Sequence, residues 1–489
     1  MNKIKILIGL ALIISTAGYG QSCNCMEEYR WAKKTFEEND AGYSYYVEKY
    51  GKQAIDFNNK KWEKEFAKTK DVFQCQDYLN QWIKFYRKGH IAIAMNDQTA
   101  LRPSTAKKGN NVLVIPEIPT LKVDIDSFQI AAKLFKEPSF EGIWTNGTYE
   151  VGIQKVKDDY VGFVITSKNE QWKAGQIKFS FPAAKIQQKK STYYMGDHSL
   201  AGKEFDPCLL IGKTYLKAFD IYWKRVSPDF GTEPDIENEV SILSATSPFI
   251  RKIDSLTAIF RIPSFENNYI PIIDSIVKAN HNLLVTTKNL IIDIRGNGGG
   301  ADRCYDSITP YLYTNPIRSM WVEFLSTPLN NARYDWIIKL DGFSEKERQN
   351  LKDMQNKLNA NIGKFVNLNE SKLTVVIDTL PVTYQNPQQV AILIDAGNGS
   401  TAEQFLLMAK QSKKVKLFGQ RTTGALDFSN LNNVESPSKN FKLFYTTSRS
   451  FRIPKMAIDD YGIQPDYFID DSVPSYKWID FVTEIMKAK

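Results

Sequence analysis

"AILIDAGNGSTAEQFLLMAKQ", residues 391 to 411, passes from an oily run through a glycine-broken corner into a segment with helical character. Ala391 to Ile394 reads as a short buried strand, and Gly397 and Gly399 let the chain turn sharply before the helix. One serine, Ser400, stands at the corner. Ser400-Thr401-Ala402-Glu403 has the Ser-x-x-Glu spacing of a capping box, which would make the serine a helix cap and nothing more. The other reading is a strand-to-helix elbow, with the hydroxyl exposed over the sheet edge and the neighbouring N–H groups aimed outward. A helix N-terminus at that point favours developing negative charge.

Outward from this corner, the chain from about residue 240 alternates buried strands with amphipathic helices. "AIFRIPSF" precedes the helix-like "YIPIIDSIVKANHNLL"; "NLIIDIR" precedes a second glycine corner and a helix-like segment after Ala301; "VKLFG" follows the Ser400 helix. Such alternation predicts parallel strands joined by crossover helices, an α/β core. "FSEKERQNLKDMQNKLNANI" reads as a charged, amphipathic, solvated insertion. Earlier in the chain the character differs. Tyr29, Trp31, Ala32 and Phe36, then Tyr78, Leu79, Trp82, Ile83 and Tyr86, recur at helix-like intervals, whereas residues 139 to 230 show short period-two segments with turns such as Asn146-Gly147. The expected organisation is a leader over 1–20, a helical domain over 21–125, a β-rich barrel or sandwich over 126–235 and the α/β core over 236–489.

Composition bounds the function. The 489 residues are 43% hydrophobic and 12% aromatic, ample for packed cores, and the formal charge of +8 is scattered, with no long basic tract. Nucleic-acid binding is therefore not expected. The first residues carry Lys3 and Lys5, an apolar run from Ile6 to Ile14 and small residues Gly18 and Gly20, the pattern of a secretory signal peptide cut after Gly20. Export to the periplasm or cell surface follows, and no other stretch is apolar for long enough to span a membrane once the signal is removed. Five cysteines, an odd set, leave at least one free; Cys75 could pair with Cys23 or Cys25. The three histidines, His90, His198 and His281, lie in different regions, and no Cys or His spacing resembles a metal site, so neither a metal nor a cofactor is expected.

The second corner, Arg295 to Gly300 in "LIIDIRGNGGGADRC", lacks the lysine and spacing of a phosphate-binding loop. Its glycines instead allow backbone N–H groups to approach a reacting carbonyl as an oxyanion hole, worth a factor of about 10² to 10³. In order, "NLIIDIRGNGGG", "GNGSTAEQF", "LFGQRTTGALDFSN" and "DDYGIQPDYFIDD" resemble the C-terminal processing (tail-specific) peptidases and the related tricorn core, over roughly residues 240 to 480. The resemblance implies a crotonase-like and Clp-like α/β catalytic core, a polypeptide substrate and serine-type endopeptidase activity.

One position departs from that pattern. Tail-specific peptidases carry a lysine base in a Gly-Lys-Gly segment, and the matching residue here is Ala425. The tricorn-like branch, by resemblance, uses a histidine from an earlier segment and an acid ahead of the Gly-x-x-Pro-Asp motif. His90, in "WIKFYRKGHIAIAM", fills the first place, and Asp459 the second, with Asp460 beside it as the alternative and Asp466 as a structural turn residue. The implied roles are Ser400 as nucleophile, His90 as base, Asp459 as the group that orients the imidazole, and the Gly298 and Thr401 N–H groups as oxyanion donors. If His90 were not the base, Lys455 would be the next candidate. A rival reading is a non-catalytic binding protein on the same fold, resembling retinoid-binding modules, in which an intact serine, histidine and acid would be superfluous. The sequence is silent on oligomeric state.

Overall fold

The aromatic periodicity near the N-terminus builds four helices, Cys25–Asn39, Tyr43–Tyr50, Lys52–Phe66 and Val72–Ile83. They belong to a computed structural model that describes residues 23–96, 118–183, 191–198, 201, 207–340, 343–369 and 371–488; the expected signal segment, 1–20, lies outside the described residues. Asn24 and Asp71 start the first and last of these helices by accepting the backbone N–H groups of Glu27 and Gln74. Tyr29, Ala32, Phe36, Leu79, Trp82 and Tyr86 are buried, while Trp31, two positions from Tyr29 and so off the stripe, is only half-buried. Tyr29 stacks on Phe66 at 4.6 Å between centroids and meets Trp82 edge-on at 5.1 Å. A disulfide joins Cys25 to Cys75, which selects one of the two pairings left open by the sequence, and Cys23, Cys208 and Cys304 are free thiols.

The chain forms two compact units whose segments interleave. Of the described residues, the first contains those within 23–96, 321–374 and 427–455. Its sheet runs in the order Ala92–Met95, Phe441–Ser450, Val322–Leu325, Phe365–Asn367, with Phe428–Glu435 also paired to Phe441–Ser450. The expected 236–489 core thus lends two segments to the unit that holds the N-terminal helices. Local periodicity could not have revealed this, because strand pairing across hundreds of residues leaves no mark on either strand's own pattern. The charged insertion is the helix Glu345–Asn359, begun by a complete capping box between Ser344 and Glu347.

Of the described residues, the second unit contains those within 118–320, 375–426 and 456–488. Among the described residues from 142 to 227, eight strands form one antiparallel sheet, the strand type the period-two alternation predicts; its end strands, Thr192–Tyr193 and Leu209–Ile211, do not pair with each other, so the sheet is open and not the closed barrel that was one of the two expected forms. A six-stranded sheet follows in the order Phe249–Lys252, Thr257–Arg261, Asn289–Asp293, Gln389–Ile394, Val415–Gly419, Tyr467–Phe468, parallel apart from its first pair. Leu290, Ile292 and Ile294 pack into one hydrophobic layer with Phe405 and Leu406 of the helix Thr401–Ala409. Ile291, Ala391 and Leu393 pack into another with Trp478 and Val482 of the helix Trp478–Lys487. Burial on both faces is why these strands are continuous apolar runs. No helix among the described residues is long and apolar enough to cross a membrane.

The disulfide closes a loop with a sequence separation of 50 residues. Cross-linking such a loop stabilises the fold by about 4 kcal/mol in the chain-entropy picture. Cys75→Ser is expected to lower the thermal midpoint of the purified chain clearly, and added reductant should lower the wild type but not the variant. Equal midpoints for the two proteins without reductant would refute this role.

Candidate active site

The strands Asn289–Asp293 and Gln389–Ile394 lie side by side and parallel, so the two glycine corners emerge at the same sheet edge. Side chains stitch them together. Asp395 Oδ1 accepts the Gly296 and Gly397 N–H groups, each at 2.9 Å, and the buried Asn398 side chain donates to the carbonyls of Ile294 (2.5 Å) and Asn297 (3.2 Å). Asn297, also buried, turns its side-chain oxygen to the Gly299 N–H at 3.0 Å. The asparagines and Asp395 were not singled out from sequence, although a Gly-Asn-Gly triplet occurs in both corners and could have flagged them.

Below the first corner lies a buried ionic network. Arg295 is bonded to Asp293 through Nε (3.0 Å) and Nη2 (2.6 Å), and reaches Glu239 at 2.8 Å; Arg261 donates to the Arg295 carbonyl at 2.8 Å. Burial alone would raise the Asp293 pKa, but Arg295 and Arg261 outweigh it and hold the carboxyl below its usual range. Arginine, with its fixed fork of donors, suits such a dry anchor.

Ser400 has φ 56° and ψ −125°, and its side chain makes no cap hydrogen bond. This excludes the capping-box reading of the serine, and the contrast with Ser344 is instructive, since that residue has φ −67° and ψ 161° and does cap its helix. An L-residue in the conformation of Ser400 is strained by about 1–3 kcal/mol, so the surroundings must hold it. The Ser400 N–H donates to the Ala425 carbonyl at 3.0 Å. Glu403, the would-be partner of the box, is fully buried and accepts the Thr422 hydroxyl (2.5 Å) and the N–H groups of Gly424 (2.7 Å) and Ala425 (2.8 Å). Burial raises its pKa, and these donors, with the Ser400 amide, oppose the rise. Ala425 is buried where the resembling peptidases carry their lysine.

The opposite flank of the elbow is Gly299. Its φ is +104°, and a Cβ there would lie 2.7 Å from the Gly399 oxygen and 2.8 Å from both Ser400 Cβ and the Thr401 nitrogen. The glycine loop is therefore in van der Waals contact with the serine corner. Neither the Gly298 nor the Thr401 N–H has a hydrogen-bond acceptor among the described residues. The Thr401 hydroxyl is occupied with the Gly300 carbonyl at 2.9 Å. Two unused donors beside a strained serine at a helix N-terminus form an environment suited to a developing oxyanion.

Asp459 is buried, and its Oδ1 accepts the Leu426 N–H at 2.6 Å, one residue beyond Ala425. Asp460, with φ 70°, donates its N–H to the Gly424 carbonyl, and Asp466 accepts the Leu417 N–H at 2.8 Å, the structural role expected of it.

His90 belongs to the other compact unit. Its backbone is left-handed, φ 52°, and the turn is clamped by the buried Arg87, which donates to the Gly89 and His90 carbonyls and pairs with Asp40. Nδ1 meets the Phe428 carbonyl at 2.5 Å. A carbonyl only accepts, so Nδ1 carries the proton in the neutral ring and Nε2 is left as the basic nitrogen. Thus a main-chain oxygen, that of Phe428, holds this imidazole at Nδ1. Backbone groups leave no residue-type signal, which is why Phe428 was missed. Burial lowers the His90 pKa, with Arg87 and Lys84 adding to the effect against the Phe428 carbonyl. The other histidines are packed: His281 Nδ1 meets the Tyr311 hydroxyl at 2.7 Å, and His198 sits edge-on to Trp172. Among the described residues, the one cluster with metal-type ligand atoms in mutual reach is Cys23, Cys25 and Cys75, in the first unit, and two of those sulfurs form the disulfide.

Residues 257–469 match the model of peptidase family S41. Among solved structures, mature CPAF complexed with lactacystin is similar at 13% identity and a TM-score of 0.50, over 95% of this chain and 98% of that one. A CPAF mutant gives 12% identity and 0.50, over 95% and 96%. The tricorn protease gives 12% identity and 0.40, over 95% of this chain and 36% of that one. No curated protein matches the sequence. At these identities the likeness to the two CPAF structures shows the fold alone, an α/β core accompanied by a helical N-terminal region.

The two adjacent glycines of the loop provide a test of this packing. Gly299→Ala must push the serine corner aside and is expected to lower the thermal midpoint, at a cost of about 1–3 kcal/mol. Gly298→Ala, whose Cβ would meet nothing within 4 Å, should leave the midpoint nearly unchanged. Equal effects of the two substitutions in calorimetry would contradict the contact.

Proposed function

Because residues 257–469 belong to peptidase family S41, we propose that this chain hydrolyses peptide bonds as a serine endopeptidase with Ser400 as nucleophile and His90 as base. The observation that carries the reading is the Ser400 backbone, held against the glycine loop in a conformation in which its side chain caps nothing. In the proposed reaction Ser400 Oγ attacks the scissile carbonyl carbon while His90 Nε2 takes the hydroxyl proton. The carbonyl oxygen, now negative, receives the Gly298 and Thr401 N–H groups. Collapse of the tetrahedral intermediate expels the amine, which takes the proton back from His90, and water then releases the acyl group by the same steps. Asp459 contributes by holding Leu426, and with it the segment that receives the Ser400 N–H. Ala425 supplies no amine, which supports a histidine over a lysine base. The signal-like start and the disulfide support export, with a mature chain beginning at or near Gln21.

Only a neutral imidazole can accept the serine proton, so activity is present above the His90 pKa and lost as pH falls through it. Since burial lowers that pKa, the acid limb of kcat/KM should lie below the ordinary histidine value of about 6.5. Ser400→Ala and His90→Ala should each lose at least about 10³-fold in peptide hydrolysis while remaining folded, with His281→Ala near wild type. An acid limb well above neutrality, or a folded His90→Ala chain at wild-type rate, would overturn the pairing and direct attention to Lys455.

For export, the expected outcome is an intact mass of the purified native protein that begins near Gln21. A mass that retains Met1 would count against it.

A further inference from the structure

The first unit contains a cleft of about 460 Å³ that the proposed chemistry does not use. Its size falls within the range of about 300–1,000 Å³ typical of ligand pockets. Tyr45, Phe451, Ile453 and Pro454 give it an apolar wall. Arg449 and Glu323 also line it, but each neutralises the other, with Nε donating to Oε1 at 2.7 Å and the guanidinium lying 3.5 Å over the Phe365 ring. At the rim are one acid, Glu48, and one base, Lys49, whose ammonium lies 5.3–5.9 Å from the centroids of the Tyr50, Tyr46 and Tyr45 rings. The lining charges thus sum to zero and their two strongest members are already paired. A charged ligand would gain nothing from such walls, and burying it would have to displace an existing partner.

The cleft also adjoins the residue that orients the proposed base. The Tyr45 ring is 5.5 Å from the Phe428 ring, and Phe428 is the register partner of Arg449 across the sheet. The carbonyl of the same Phe428 receives His90 Nδ1. Whatever fills the cleft therefore packs against Tyr45, whose ring touches the residue that supports that histidine.

We infer that this cleft is a specificity subsite that takes an uncharged aromatic or large aliphatic side chain of the peptide substrate. The inference rests on the peptidase reading for the word substrate, while the recognition chemistry stands on the cleft itself. Moving a phenylalanine side chain from water into an apolar wall strengthens binding by about tenfold to a hundredfold relative to alanine.

The test uses the full chain carrying Ser400→Ala, so that binding is read without cleavage. Fluorescent glycine-serine peptides with a single central Phe, Ala, Asp or Lys are titrated by anisotropy. The Phe peptide should bind at least about tenfold more tightly than the other three. Ser44→Trp, at an exposed lining position, should fill the cleft and erase that preference without altering the Ala peptide. Equal affinities, a preference for Asp or Lys, or a Phe preference that survives Ser44→Trp would overturn the inference. Hydrolysis by wild type is scored separately. A chain that binds the Phe peptide selectively and cleaves nothing keeps the subsite and loses the peptidase reading, and a chain that cleaves without selectivity does the reverse.

Discussion

Ser400 occupies a backbone conformation, φ 56° and ψ −125°, that an isolated L-residue avoids, and much of the second unit can be understood as what keeps it there. The parallel pair Asn289–Asp293 and Gln389–Ile394 brings two glycine corners to one edge. Asp395 and Asn398 lock the corners to each other, and the buried Arg295–Asp293 pair anchors the first corner to the strand beneath it. Gly299 then blocks the serine corner from relaxing on one flank, while Glu403 holds the Gly424–Ala425 amides on the other. Strain of about 1–3 kcal/mol persists only under such over-determination. Its consequence is a hydroxyl released from helix capping beside two unoccupied N–H donors.

Glu403 shows how one residue can satisfy two readings of a sequence. The Ser-x-x-Glu spacing is real, and Ser344 to Glu347 shows what it means when local forces alone decide: a β-region serine, a capped helix and an exposed surface. At Ser400 the same spacing is overridden by tertiary contacts, because a fully buried glutamate must find donors, and the Thr422–Ala425 segment provides them. The strands Thr257–Arg261, Asn289–Asp293, Gln389–Ile394 and Val415–Gly419 and the helix Thr401–Ala409 were legible, since each depends on apolar periodicity within one segment. The continuous run through Ile291 and Ile292 signalled a buried strand, and the structure packs its two faces into separate hydrophobic layers.

What was not legible falls into two kinds. Non-local pairing is one: Ala92–Met95 finds Phe441–Ser450, so the N-terminal helices share a unit with segments from the far end of the chain. Main-chain chemistry is the other. The imidazole of His90 is oriented by the Phe428 carbonyl, and any residue at 428 would present one, so residue types pointed to Asp459 instead. The stretch from Gly424 to Phe428 connects the two kinds of omission. In one unit its Ala425 carbonyl receives the Ser400 N–H, and in the other its Phe428 carbonyl receives His90.

The central claim is that this backbone arrangement makes Ser400 a nucleophile, and covalent capture tests it most directly. The purified full-length chain is treated with a fluorophosphonate at neutral pH and the adduct is mapped by peptide mass spectrometry. The account predicts a single phosphonylated residue, Ser400, with labelling lost after heat denaturation. A folded chain that stays unlabelled, or that carries the adduct on a different serine, would contradict it.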